Sequence, residues 1–310
     1  MDAHERDGIV TSAAYLRGHS DTRALVRAVD RGELIRLRRG VYVRAEVWNG
    51  ADGTGRHLLR VRAALSQMSG TPILTGFSAA AVWGMPVMAF PDVVTIAEEW
   101  KGGGRSAPGV RRTAAAFTTA AVVERDGFRL TTPSRTALEL TRTVPFAQVI
   151  GSLDWLLWRK NPDRITREEL AAEVELLTRR FGLARAQLAA AFATDLSDSY
   201  GESLCRALIH EAGFDRPTLQ LEIRDAQGVM RPDFAWERDR VLLEFDGRGK
   251  YLRGMGNGDE PGEVVWREKR REDRLRALGW TVMRATWADL MRPERLIRLL
   301  VEARVSRSIA

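Results

Sequence analysis

Apolar residues recur along this chain with two periods, and the changes between them mark out its elements. Leu25, Val26 and Val29 fall three and four apart and predict an amphipathic helix over 21–30, with Ser20 as its cap and Asp21 in its first turn. A shorter helix precedes it, from Thr11 or Ser12 to Arg17, and Gly18 separates the two. After Gly32 the period falls to two. Leu34 to Leu37 alternates and meets Val41-Tyr42-Val43 across a turn at Arg39-Gly40. Two short helices followed by a basic hairpin predict a winged helix-turn-helix over residues 1–48, with its second helix suited to a DNA major groove.

Residues 46–54 carry two glycines among polar positions and read as a linker. From 55 to 195 the pattern predicts a mixed α/β region. Helices are expected at 56–69 and from Ser78, and strands at 92–97, 110–117 and 128–131. Helical segments are then expected at 134–142, 146–158, 166–177 and 184–193. The run Lys101 to Pro108 lacks the Lys-Ser/Thr ending of a phosphate-binding loop and reads as a hairpin tip. A polar stretch, 195–199, marks a second boundary.

Residues 198–310 follow the order α-β-β-β-α-β. A helix over 202–212 precedes strands at 219–223, 230–236 and 241–247, then a charged helix at 264–278 and a last strand at 281–285. The whole is expected to be α/β (α+β overall), ending in a mixed sheet flanked by helices. Asp233 and Glu244 stand in apolar strand sequence, where an unpaired carboxylate is costly to bury. On adjacent antiparallel strands they can converge, which is favourable when a hard divalent cation such as Mg²⁺ or Mn²⁺ joins them. Asp246 shares a strand face with Glu244 and is either a further ligand or, before Gly247, a turn former. On the charged helix Glu268, Arg271, Leu275 and Leu278 fall on one face, so the leucines carry Glu268 and Arg271 toward the sheet or into an ion pair of their own.

Composition narrows the classes. The chain has 310 residues, a net charge of +7 and one cysteine, Cys205. The excess of basic residues favours a polyanionic partner, nucleic acid before membrane. A single thiol gives no internal disulfide and fits a reducing cytoplasm, and one cysteine with four histidines cannot build a structural zinc site. No apolar run approaches the roughly 20 residues that cross a bilayer, and residues 1–8 lack the apolar stretch of a signal peptide.

The blocks Arg231-Pro-Asp-Phe, Leu243-Glu-Phe-Asp-Gly and Glu268-Lys-Arg-Arg-Glu-Asp-Arg-Leu-Arg-Ala-Leu-Gly-Trp resemble the Vsr-like branch of PD-(D/E)XK endonucleases. The resemblance implies Asp233 and Glu244 as metal ligands with Asp246 assisting, and Glu202, Glu268 and Arg271 as lesser site residues. It implies a Mg²⁺-dependent endodeoxyribonuclease. Two departures stand out: Asp246 occupies the place of the signature lysine, and the histidine beyond the Asp-Gly pair is missing. Lys250 lies nearby and is either a substitute lysine or a surface residue.

Gly8-Ile-Val-Thr, the hairpin Gly32-Glu-Leu-Ile-Arg-Leu-Arg-Arg-Gly-Val-Tyr-Val and Thr132-Pro-Ser-Arg-Thr-Ala-Leu-Glu-Leu are similar to AbiEi-type antitoxins of type IV toxin–antitoxin systems. Glu139 replaces the usual aspartate of the last block. This resemblance implies promoter binding through the winged helix and a cognate toxin as partner. Arg23, Arg27, Arg36, Arg38 and Arg39 are the candidate DNA contacts. Two functional readings remain: a DNA endonuclease delivered by its winged helix, and an antitoxin-like repressor with an inert nuclease fold. A protein-interaction scaffold with a basic surface is the plainer third.

Overall fold

The structure is a computed structural model and describes residues 8–17, 23–98, 108–114, 121–177, 182–247 and 261–308. The predicted cap Ser20, residues 101–107 of the glycine-rich run, and Lys250 lie outside the described residues. The chain is α/β with mixed sheets, as its periodicity predicts. It divides into two compact units, Met1–Thr143 with Glu169–Leu183, and Val144–Glu168 with Ala184–Ala310. Neither 49–54 nor 196–197 is a division between units.

The first unit opens with β1 (Ile9–Thr11), α1 (Ser12–Arg17), α2 (Ala24–Asp30), β2 (Leu34–Arg38) and β3 (Val41–Arg44), the strands ordered β1-β3-β2. Two short helices thus precede a hairpin, in the order the periodicity predicts. The segment 46–54 is not a linker. It holds α3 (Ala45–Gly50) and the start of α4 (Gly53–Leu65), which begins three residues before the expected position because the Asp52 side chain accepts the Gly55 N–H at 2.7 Å. Ile9, Val41 and Val43 share a core with Leu59 and Ala63 of α4, and Val47 and Trp48 of α3 pack against it. The hairpin therefore shares its core with the helix that follows.

Beyond it come β4 (Ile73–Leu74), α5 (Gly76–Trp83), β5 (Val94–Glu98), β6 (Val110–Ala114), β7 (Val122–Arg125), β8 (Phe128–Thr131) and α6 (Pro133–Leu140), with the sheet ordered β6-β5-β4-β8-β7. The block from Thr132 to Leu140 is knitted into this sheet. Thr132 caps α6, Arg135 contacts Glu139 at 3.4 Å and Glu173 at 3.5 Å, and Glu139 accepts the Gly76 N–H at 2.9 Å. Burial holds the Glu139 carboxyl above its ordinary range.

The second unit contains α7 (Phe146–Leu157); α8 (Arg167–Glu175) begins within it; and α9 (Leu183–Phe192), α10 (Tyr200–Glu211) and β9 (Thr218–Leu219) follow in the chain. Next are β10 (Ile223–Asp225), β11 (Gly228–Met230), β12 (Phe234–Trp236), β13 (Val241–Asp246), α11 (Pro261–Ala277), β14 (Thr281–Thr286), α12 (Trp287–Leu290) and α13 (Pro293–Glu302). The main sheet runs β14-β13-β12-β9, antiparallel between β12 and β13 and parallel between β13 and β14. Two predicted strands are each divided. Gln220, at φ +52°, separates β9 from β10, which pairs with β11 in its own hairpin. Pro232, which has no N–H to give a ladder, lies between β11 and β12, so Asp233 immediately precedes a strand instead of lying within one. Leu242, Leu275 and Trp280 join Ile223, Met230 and Ala235 in the core under α11. Leu278 is exposed, contrary to its predicted core position. The helix ends at Ala277, and Gly279 at φ +81° turns the chain so that Trp280 is buried instead.

Candidate acidic site and arginine groove

Alternation along β13 decides which side chains meet. Val241, Leu243 and Phe245 face one side, while Leu242, Glu244 and Asp246 face α11. Asp233 reaches the same strand. Its Oδ2 accepts the Phe245 N–H at 2.8 Å, one residue beyond Glu244. Burial pushes the Glu244 carboxyl above its ordinary value of 4.5, Arg271 pulls it back, and the charge of Asp233 adds to the rise. The charge of Asp233 thus acts on Glu244, and its carboxylate is held on the same strand.

Arg271 comes from α11. Its Nη1 donates to Glu244 Oε1 and its Nη2 to the Arg231 carbonyl at 2.9 Å, which ties helix, strand and the β11–β12 connection together. Glu268 lies on the same helix face but pairs with Arg284 of β14 at 3.3 Å, not with Arg271. Arg284 also reaches Glu272 at 3.1 Å. Asp246 ends β13 opposite Thr286. Among the described residues no three carboxylate, imidazole or thiol groups gather as a metal-binding set, so Asp246 does not complete a triad with Asp233 and Glu244.

Glu202 is buried in the first turn of α10, where it is bonded to the N-cap residue and the residue before it. Ser199 Oγ accepts the Glu202 N–H at 3.2 Å, and Glu202 in turn accepts from Ser199 Oγ at 2.8 Å and the Asp198 N–H at 3.0 Å. One helical turn on, Cys205 is fully buried. Burial first, then the negative charges of Asp233, Glu202 and Asp289, push its thiol up. Glu202 itself serves the start of its helix. Sequence reasoning missed Asp289 and Arg284. The Thr286-x-x-Asp289 spacing of a capping box signalled the first, and strand alternation across from Glu244 signalled the second.

The donor set suits a hard cation. Asp233 and Glu244 offer carboxylate oxygens, and the rise at Glu244 is one that a divalent ion would offset. The positive charge now facing Glu244 is that of Arg271.

In the first unit Arg36, Arg38 and Arg39 line a groove of about 650 Å³ together with Arg60, Trp48 and Gln67. A register shift between Arg36 and Arg38 bulges the strand there. Gln67 Nε2 donates to the Arg39 carbonyl at 2.6 Å and holds the hairpin turn, while Arg60 lies 4.7 Å over the Trp48 ring. Burial lowers the Arg38 guanidinium from its ordinary value. Arg23 and Arg27 are exposed at and on α2 and do not line this groove.

No protein-family model matches the chain. It is 30% identical over 168 residues to two uncharacterised proteins of Mycobacterium tuberculosis, MT2308 of strain CDC 1551 and Rv2248 of strain H37Rv. The match covers 54% of this chain and spans 58% of the length of those relatives. A crystal structure of the RV2827C protein from M. tuberculosis is similar over 65% of this chain and 77% of that one, with 19% identity and a TM-score of 0.40.

Proposed function

We propose that this chain is a DNA-binding protein whose second unit hydrolyses phosphodiester bonds at a divalent-cation centre on Asp233 and Glu244. The observation that carries this reading is that the charge of Asp233 acts on Glu244, which burial also pushes up. A repressor gains nothing from paired carboxylates facing a phosphate backbone, which they repel unless a cation intervenes. Mg²⁺ or Mn²⁺ would be held by Asp233 and Glu244. When bound, such an ion supplies Lewis-acid activation and charge neutralisation at the phosphate under attack.

The chain's own residues divide the remaining work. The Phe245 N–H fixes the Asp233 carboxylate, and Arg271 offsets part of the burial cost of the Glu244 carboxylate. Arg271 is also placed to turn its guanidinium to a phosphate oxygen once Glu244 has another partner. Arg284 holds Glu268 and Glu272 on the neighbouring helix, which fixes α11 against the sheet. Asp246 in place of a lysine leaves the Vsr-like reading without its usual second cation on β13. Lys250 is the proposed substitute.

The arginine groove of the first unit supports a second reading, an AbiEi-like repressor paired with a toxin, in which the nuclease fold binds DNA without cutting. Both readings belong to defence or toxin–antitoxin biology in a reducing cytoplasm, which fits the single cysteine. No helix among the described residues is long and apolar enough to cross a membrane. Plasmid and single-strand cleavage with Mg²⁺ or Mn²⁺ separates the readings. Cutting by the native chain that is lost in Asp233→Ala and Glu244→Ala supports the enzyme. DNA binding without cutting in all three proteins gives the repressor.

A further inference from the structure

Within the second unit a cavity of about 210 Å³ opens between the end of α9, the second half of α10 and the start of β9. That exceeds the roughly 150 Å³ known to accommodate a benzene ring. Its charge is one-sided. Arg167, Arg206, Arg216 and His210 line it, and among the described residues no aspartate or glutamate does. Ala191, Ile209, Pro217 and Leu219 supply an apolar wall.

Arg206 is the informative residue. It is 8% exposed. Its Nη2 donates to both carboxylate oxygens of Asp154, at 3.0 and 2.9 Å, and its Nη1 donates to the Phe192 carbonyl at 2.9 Å. Its Nε is buried and has no hydrogen-bond partner among the described residues. A buried donor left without an acceptor is costly, and each such group calls for an explanation. The Arg206 guanidinium lies 4.1 Å over the Phe192 ring, and His210 stacks on the same ring at 4.8 Å. Burial first, then Arg216 and Arg206, hold the His210 imidazole below its ordinary value, so it contributes a neutral ring beside the arginines.

We propose that this cavity binds a small organic anion, a carboxylate or phosphate carried on an apolar, ring-sized body. The anionic group pairs with Arg167 and Arg216 at the exposed rim in the field of the buried Arg206, while the apolar body lies on the wall formed by Ile209, Pro217 and Leu219. The site uses none of the residues of the acidic centre and stands or falls independently of it.

The test is an NMR titration of the full chain, following His210, with benzoate and phenyl phosphate as probes and with inorganic phosphate and benzyl alcohol as controls. Saturable binding of either probe is expected, with a rise in the His210 titration midpoint as the anion offsets its arginine neighbours. Whichever probe binds identifies the anionic group. Arg216→Gln and Arg167→Gln, which leave the Asp154–Arg206 pair intact, are each expected to weaken binding about fivefold or more. Failure of both probes to saturate at millimolar concentration overturns the proposal. So does equal affinity for inorganic phosphate or for benzyl alcohol, or unchanged binding in the two folded variants.

Discussion

Glu244 and Arg284 lie directly opposite each other in the parallel register of β13 and β14, yet Arg284 pairs with Glu268 and Glu272 and leaves Glu244 to Arg271 of the helix above. Arg271 of α11 and Arg284 of β14 both draw the Glu244 carboxyl down. The net result still disfavours the ionised Glu244, because burial and Asp233 outweigh the cations.

That balance has a sign that can be measured. A carboxyl raised above its unfolded value contributes stability below about 4.5, and that contribution is lost as pH rises through the folded value. Glu244→Gln should therefore raise the melting temperature in EDTA at pH 7.5 by about 2–4 °C, the shift that roughly 1 kcal/mol produces at this size. The gain should vanish below pH 4.5 and reverse with millimolar Mg²⁺, which stabilises only the native carboxylate pair. A variant no more stable than the native chain in EDTA would show that Arg271 fully compensates the charge. Calorimetry at three pH values decides it.

Packing at Gly201 offers a second test. A Cβ there would stand 2.1 Å from the Phe245 ring, and Phe245 is the residue whose N–H holds Asp233. Glycine to alanine inside a helix ordinarily gains about 0.5–1 kcal/mol. Here the overpacking cost of about 1–3 kcal/mol outweighs it. Gly201→Ala should lower stability in urea and weaken Mn²⁺ binding together, whereas an alanine that lowers neither would mean α10 can shift without disturbing Asp233.

The legible parts of this chain were those set by period. β8, α7 and β13 lie within about a residue of where alternation or helical spacing put them. Capping and single backbone conformations were not legible in the same way. Asp52 turned an apparent linker into the start of α4, and Gln220 and Pro232 each divided what reads as one strand. Partner choice was also hidden. The spacing of Glu268 and Arg271 suggested a pair on one helix, but strand residues Glu244 and Arg284 take one each. The buried Asp154–Arg206 pair, 52 residues apart in sequence, had no local signal at all.

Asp154 and Arg206 join α7 to α10 with both members almost wholly buried. Removing one member of such a pair leaves the other charge without compensation, which costs about 3–5 kcal/mol. Arg206→Met is expected to lose that much in urea unfolding. Asp154→Leu combined with Arg206→Met should recover most of it, since an apolar replacement of the whole pair is often neutral. A double variant as unstable as the single would mean that the hydrogen bonds to Thr194 and Phe192, not the charges, hold the two helices.

The arginine groove makes a prediction about salt. Arg36, Arg38 and Arg39 are brought together by the bulge in β2 and by Gln67 holding the hairpin turn, whereas Arg23 and Arg27 lie elsewhere on the unit. If the groove tracks a DNA backbone, each arginine that meets a phosphate displaces a counterion, and the slope of log affinity against log salt falls by about one for each contact removed. Arg36→Gln and Arg39→Gln should each reduce the slope by about that amount and weaken binding to all sequences alike. If α2 enters a major groove, Arg27→Gln should instead leave most of the slope while relaxing sequence preference. Fluorescence anisotropy with two unrelated duplexes, from 50 to 200 mM salt, separates the two effects. Equal slopes in native and groove variants would remove the groove from the interface and leave α2 as its centre.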